Sequence, residues 1–354
     1  MTEAIHDFGS AWGNVERGGL ELVPTRPAPR RNYVHYRPLS AAVDEFISEA
    51  QNDHRIYIGL DEFDVEMRGV SPGHLCLIVG RTHSGKTLLA THVLRHNRDK
   101  RVLLLTPDET STLILAKLAA ATHGINSVDL ERRVAADDHE AIRLLHETVE
   151  EFPNLIVIDK RLSHVDMDIA FDEACSVWGA PPDALIVDFM KLVEGETMQA
   201  KFEFIKSFGM HKRVPTFALH QMSRSSGAGG QSVTLEGGEF GGEDFATFQI
   251  GVRRRKYQIE SELRDLLPKE HKGGDVVARI QSLQEDLRYH EHTVTINLTK
   301  NKRPGGDGID DMDFELDRAT GRIYPLGSRM PRGYVAGLKP AVRTALQNES
   351  FREF

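Results

Sequence analysis

The stretch Gly80-Arg81-Thr82-His83-Ser84-Gly85-Lys86-Thr87 sets two glycines four residues apart and follows the second at once with a cation and a hydroxyl. A polyphosphate explains both halves of this pattern. Glycines let successive backbone N–H groups curl around phosphate oxygens, Lys86 reaches the β- and γ-phosphates, and the Thr87 hydroxyl serves as a ligand for Mg2+ at a helix start. The flanks agree, because "HLCLIVG" reads as a buried strand entering the loop and "KTLLATHVLRHN" as a helix leaving it. A glycine-rich turn beside a surface lysine is the plainer reading, and the flanking strand and helix disfavour it. Residues 80–87 are therefore expected to bind ATP with Mg2+.

Such a loop holds a triphosphate but does not hydrolyse it. Hydrolysis also needs an acidic partner for Mg2+, a base for water and cations for the charge that develops. Two apolar strands end in aspartate, "NLIVIDK" at Asp159 and "ALIVDFM" at Asp188, and either suits the metal; the other is expected at a turn or a helix cap. After "LLLTP" come Asp108 and Glu109, of which Glu109 is the expected base and Asp108 the expected cap of a helix starting near Ser111. Gln221 ends the strand "TFALHQM", where a side-chain amide can bond the γ-phosphate and report its loss to the following segment. That segment, "SRSSGAGGQSVTLEGGEFGGED", is glycine-laden and polar, fit to grip phosphates through its amides or to be a plain connector. Lys300, Lys302 and Arg303 follow a late strand and can act on the γ-phosphate of an adjacent subunit, with a solvated basic turn as the alternative.

Elements must position these groups, and the pattern from about residue 56 alternates apolar strands with amphipathic helices. That order predicts an α/β domain with a mostly parallel central sheet covered by helices. Strands are expected at "HLCLIVG", "VLLLTPD", "NLIVID", "ALIVDF", "TFALHQM", "TFQIGV" and "TVTINLTKN", and helices near 86–97, 111–123, 136–151, 165–178 and 197–212. In open sheets of this kind ligands sit at the carboxyl ends of strands, where the candidate residues lie. Between the last two strands, Ile259, Leu263 and Leu266, then Val276, Ile280, Leu283 and Leu287, keep helical spacing around Pro268 and Gly273-Gly274. This predicts an inserted helical hairpin over about 256–291, either a bare protrusion or a contact to a neighbour or DNA through its basic root "RRRK". Residues 1–37 read as a mobile arm, 38–55 as a linker holding an amphipathic helix with Leu39, Val43, Phe46 and Ile47 on one face, 56–330 as the main domain, and 331–354 as a tail.

Composition narrows the classes. The 354 residues carry no apolar run near the ~20 that a spanning helix needs, and the polar start "MTEAIHDFGS" lacks the order of a signal peptide. Two cysteines, Cys76 and Cys175, exclude a disulfide framework and fit a reducing cytoplasm, and the 16 scattered histidines suggest no structural metal. A formal charge of −9 argues only weakly against nucleic acid, because a protein enclosing a strand needs cations only where phosphates pass.

The constellation resembles the ATPase domain of DnaB-like replicative helicases, within the wider RecA-like P-loop NTPase fold, over residues 56–326 with the hairpin as an insert. "IGLDEFDVEMRGVSPGHLCLIVGRTHSGKT" looks like the family's entry into its phosphate loop. "ALIVDFMKL" is similar to the family's "LIVIDYLQL", which assigns the metal to Asp188, and "VPTFALHQMSRS" resembles "VPVIALSQLNRS", which carries the γ-phosphate sensor onto Gln221. The family's single glutamate corresponds ambiguously to Asp108 or Glu109. Its K-x-R finger stands here as "KNK" followed by arginine, so the role falls on Lys302 or Arg303. Glycines replace an arginine common in the DNA-contacting loop, and residues 1–55 are too short for the family's usual N-terminal domain, so the resemblance does not carry primase docking over to this chain.

The resemblance implies a phage- or plasmid-type helicase motor of the cytoplasm, a homo-oligomeric ring of six subunits as is usual in the family. It would translocate on single-stranded DNA, open forked duplex and work among replication proteins, with helix 39–50 docked on a neighbour. Two other readings stand beside it. A RecA-like recombination or repair ATPase would favour stacking aromatics in the glycine-rich segment, where Phe240 is alone; an assembly switch would be expected to lack a working acid, and two are present.

Overall fold

The computed structural model describes residues 39–51, 54–222 and 242–328. The expected arm and tail, Ser223, Arg224 and most of the glycine-rich segment with Phe240 lie outside them. The chain divides into two units, 1–51 and 52–354. In the first, helix α1 (Ala41–Gln51) forms where the apolar spacing predicts it, with Leu39, Val43, Phe46 and Ile47 exposed.

The second unit is built on strands β1 (Leu75–Gly80), β2 (Val102–Leu105), β3 (Leu155–Ile158), β4 (Ala184–Val187), β5 (Thr216–Gln221), β6 (Phe248–Arg253), β7 (Thr293–Asn301), β8 (Ile309–Asp317) and β9 (Arg322–Tyr324). They form one sheet in the order β3-β2-β4-β5-β1-β6-β7-β8-β9. The six strands from β3 to β6 run parallel, and β7, β8 and β9 continue antiparallel. The helices are α2 (Asp61–Met67), α3 (Lys86–His96), α4 (Ser111–His123), α5 (Ser127–Ala135), α6 (His139–Glu151), α7 (His164–Trp178), α8 (Met198–Lys212), α9 (Gly242–Phe245), α10 (Lys256–Leu266) and α11 (Gly274–His290). Among the described residues no helix is long and apolar enough to cross a membrane.

Alternation along each strand feeds two cores. On one face Cys76, Ile78, Val102, Leu104 and Phe217 pack with Phe63 and Met67 of α2, Leu89 and Val93 of α3, and Ile114 and Leu118 of α4. On the other, Leu75, Leu77, Leu103, Leu105 and Leu185 pack with Met167 and Phe171 of α7 and Phe202, Ile205 and Phe208 of α8. Successive side chains of a strand point to opposite faces, so a strand that is apolar throughout must be covered twice, as these are.

The structure adds elements that the pattern did not announce. The stretch Ile309–Asp317 is a strand whose Met312, Phe314 and Leu316 join the first core, while the alternating acids turn to the other face. Arg253 there forms an ion pair with Asp311, and Arg255 approaches Asp311 and Asp313 at 3.7 and 3.8 Å. The basic root of the insert is thus compensated within the chain. The expected helix 136–151 is α6, which begins at His139 because Asp138 caps it by accepting from Glu140 and Ala141 N–H, and a separate helix that the pattern did not announce, α5, ends before it at Ala135.

The insert is the expected hairpin, α10 and α11 joined by a 3-10 turn, Leu267–Lys272. Its seam of Ile259, Leu263, Ile280 and Leu283 is a core of its own. Leu283 is 2% exposed there. Leu283→Asp should therefore unravel the hairpin locally: hydrogen exchange is expected to accelerate in α10 and α11 by at least about tenfold while β1 to β5 keep their protection. Equal loss in the central strands would show that the seam is part of the main core.

Candidate active site

β1 delivers the phosphate loop and α3 carries it away. Gly80 is required by contact: a Cβ there would stand 2.3 Å from the Val252 carbonyl oxygen and 2.4 Å from Ser84 Oγ. Gly85 is required by backbone, with φ +106° as the residue before α3. Of the intervening residues, Ser84 is buried while Thr82 and His83 are exposed. Lys86 Nζ donates to the carbonyls of Gly80 at 2.9 Å and Arg81 at 2.7 Å, so the ammonium is curled over the loop it belongs to. Burial pulls its pKa down to about 8, against a smaller opposing pull from Asp188.

The end of β4 lies beside the loop. Thr87 Oγ1 donates to Asp188 Oδ2 at 3.2 Å, and Asp188 is 8% exposed. Burial, then the charge of Glu109, lifts the Asp188 carboxyl to about 6. Glu109, half-buried after β2, pairs one oxygen with Lys117 of α4, while its Oε2 is buried with no hydrogen-bond partner among the described residues. The Thr87 hydroxyl, the Asp188 carboxyl with its raised pKa and the unsatisfied Glu109 oxygen form a donor set of hard oxygens near the half-buried Lys86. It fits a hydrated Mg2+ carried by a triphosphate.

Asp108 is not the helix cap expected of it. It is exposed, Thr110 caps α4 by accepting from Leu113 N–H at 3.3 Å, and Asp159 on the neighbouring edge strand accepts from Ser111 N–H at 2.9 Å. The strand-end aspartate left over from the metal assignment is the one that caps. Lys117 was not singled out from sequence; its signal is a lone charge in the apolar run "LILAKLAAA".

Gln221 pairs in register with Gly80 across β5 and β1, and its Nε2 donates to Thr82 Oγ1 at 2.6 Å. Lys86, Thr87, Asp188, Glu109 and Gln221 are thus gathered at one end of the sheet. Lys300, Lys302 and Arg303 are not. β7 runs against β1, Lys300 pairs with Gln249, and Asn301 pairs with Phe248, itself beside Cys76. Cys76 lies four residues before Gly80, about 13 Å at ~3.3 Å per residue. At that far end Arg303 donates to Gly69 O at 3.0 Å and Ser71 Oγ at 2.8 Å, and Lys302 donates to Asp244 O at 3.0 Å. His74 lies in the same place, edge-on to Phe248 at 6.0 Å. Burial, followed by the charges of Arg303, Lys206 and Arg55, pulls the His74 pKa down to about 4.

Residues 56–230 match the family model of the DnaB-like helicase C terminal domain. Two solved structures share the fold. One, of a DnaB-like replicative helicase and its interactions with primase, aligns at TM-score 0.59 and 16% identity over 82% of this chain and 67% of that one. The other, a solved ATPase domain, aligns at TM-score 0.62 and 16% identity over 82% of this chain and 100% of that one. At such identity the likeness carries the fold. A comparison with curated proteins found no match.

Two outcomes are expected. Gly80→Ala should lower stability by roughly 2–4 kcal/mol in thermal denaturation, whereas Gly274→Ala, with nothing within 4 Å of its new Cβ, should be near neutral. The folded pKa of His74, about 4, lies below its ordinary 6.5. The unfolded chain therefore takes up a proton that the folded one refuses as pH falls from about 6.5 to about 4, and stability is lost across that window. Between pH 7 and pH 5 full linkage would give about 2 kcal/mol, which solvent screening at this half-buried residue reduces to about 1 kcal/mol, and His74→Asn should remove it from a melting series in pH.

Proposed function

Starting from residues 56–230 as a member of the DnaB-like helicase C-terminal domain family, we propose that this chain is an ATP-driven DNA helicase motor. It would assemble as a ring, six subunits by the family's habit, translocate on single-stranded DNA and displace the complementary strand of a fork. The observation that carries this reading is the division of the candidate residues between opposite ends of one sheet. The phosphate loop, Asp188 and Glu109 lie at one end, and Lys300, Lys302 and Arg303 about a strand length away at the other. Those cations cannot serve their own loop, and a head-to-tail copy would bring them to it.

In this scheme the loop amides and Lys86 hold the β- and γ-phosphates. Thr87 and Asp188 would hold a magnesium ion, which when bound offsets charge on the phosphate oxygens. Glu109, fixed by Lys117, takes the proton of the attacking water, and Lys302 or Arg303 of the neighbour meets the charge that develops on the γ-phosphate. Gln221, one strand from β1 and bonded to Thr82, is placed to pass γ-phosphate loss to the glycine-rich segment that follows it, the part expected to hold DNA. The exposed apolar face of α1 is a second surface that a neighbouring copy would cover.

The test is ATP turnover with and without a single-stranded oligonucleotide, then strand displacement on a forked duplex, with Lys86→Ala as the dead control. DNA-stimulated turnover with displacement is expected. Stimulation without displacement would instead favour a recombination ATPase, and DNA-indifferent turnover an assembly switch. Glu109→Gln should lower turnover by ~10²-fold or more while ATP still binds, and Asp108→Asn should stay within about threefold of the parent. The reverse result would move the base to Asp108.

A further inference from the structure

At the end of the sheet away from the phosphate loop, nitrogen-bearing side chains from four segments meet: Arg55, His74, Lys206 of α8, and Lys302 with Arg303. Lys206 Nζ donates to the Gly73 carbonyl at 2.9 Å and Lys302 Nζ to the Asp244 carbonyl at 3.0 Å, so both ammonium groups rest on neutral oxygens. The Arg303 guanidinium lies 5.8 Å from the centre of the Phe248 ring that His74 also meets. Arg303, Lys206 and Arg55 all act on His74, and Lys302 acts on Lys206. Among the described residues none of the charges acting on either group is negative. His74 Nδ1 and Arg55 Nε are buried there with no hydrogen-bond partner among the described residues.

Like charges gathered on a partly buried surface raise one another's energy unless an anion joins them. The site has the depth to orient one: Lys302 is exposed, Lys206 and Arg303 are half-buried, and α8 is anchored by the buried Phe202, Ile205 and Phe208. Lys206 is the member that sequence spacing did not indicate. Its ammonium is pre-placed by the bond to Gly73, and a cation already ordered loses little freedom when an anion arrives.

We propose that this cluster is a phosphate-binding site, that its ligand is the terminal phosphate of a nucleotide held in the phosphate loop of a second copy, and that Lys206 is a phosphate-facing cation there beside Lys302. The proposal rests on the shared-seam reading above and adds a residue and a pocket to it. A phosphodiester of nucleic acid offers the same chemistry, and the experiment separates the two sources.

Lys206→Gln keeps a donor for the Gly73 carbonyl without the charge, and Lys206→Arg keeps the charge; melting and sedimentation confirm that each folds and assembles. Lys206→Gln is expected to lower turnover at least tenfold with the KM for ATP within about threefold, and Lys206→Arg to restore part of it. Lys206→Gln copies are then mixed with Lys86→Ala copies, each nearly inactive alone. If Lys206 acts across the seam, turnover should recover toward about a quarter of the parent's, the share of seams in a random mixture where an intact loop faces an intact cluster. Lys302→Ala with Arg303→Ala, mixed with Lys86→Ala in the same way, tests the seam itself. Recovery there without recovery for Lys206→Gln overturns the present proposal and leaves the seam standing; no recovery in either mixture overturns both. Unchanged turnover with oligonucleotide affinity lowered more than threefold in fluorescence anisotropy would give the cluster to a phosphodiester and also overturn the proposal.

Discussion

The seating of β1 between β5 and β6 is the constraint from which the rest follows. In that position Gly80 meets Gln221 in register on one side and comes so close to the Val252 carbonyl on the other that no side chain fits. The loop that leaves β1 must therefore turn without a Cβ at its first residue, and it does so against the end of β5, where Gln221 reaches Thr82. β4, on the far side of β5, brings Asp188 to Thr87. Strand order alone thus gathers residues separated by more than a hundred positions in the chain.

Burial then tunes what strand order gathers. Lys86 and Asp188 are each pushed toward neutrality, the lysine down to about 8 and the aspartate up to about 6. Their mutual attraction is the smaller influence in both cases. Groups held this way respond strongly to an incoming charge, because little water remains to screen it. The opposite end of the sheet works by the same physics with one sign in excess, since His74 and Lys206 are acted on by cations alone among the described residues. A polyanion would find a prepared partner at both ends.

Much of this was legible in the chain. The seven expected strands and the hairpin formed where apolar runs and helical spacing placed them, because strands buried on both faces leave a continuous apolar signature. β8 carries a period of two, Met312, Phe314 and Leu316 against Asp311, Asp313 and Glu315, but its acids read as a solvated acidic run; in the fold Asp311 and Asp313 face Arg253 and Arg255, and Glu315 accepts from Gly327 N–H. Short helices such as α2 and α5 carry one apolar turn each, too little to stand out. Within the site, the loop, the Thr87 hydroxyl, Asp188 and Gln221 stand out as local patterns. The choice between Asp108 and Glu109 is not, because adjacent residues leaving a strand point in different directions and only packing says which is inward. Asp159 shows the same limit: its use as a cap depends on which strand neighbours β2.

The hairpin α10–α11 departs from the end of β6 and returns at the start of β7, and these strands are hydrogen-bonded neighbours. Its ends are therefore fixed about 5 Å apart whatever lies between them. Because the entropy of closing such a connection grows only with the logarithm of its length, and because the insert keeps its apolar seam to itself, this junction is where the chain can lengthen, shorten or exchange a module without retuning the half that binds nucleotide. The junction lies on the same rim of the sheet as the phosphate loop.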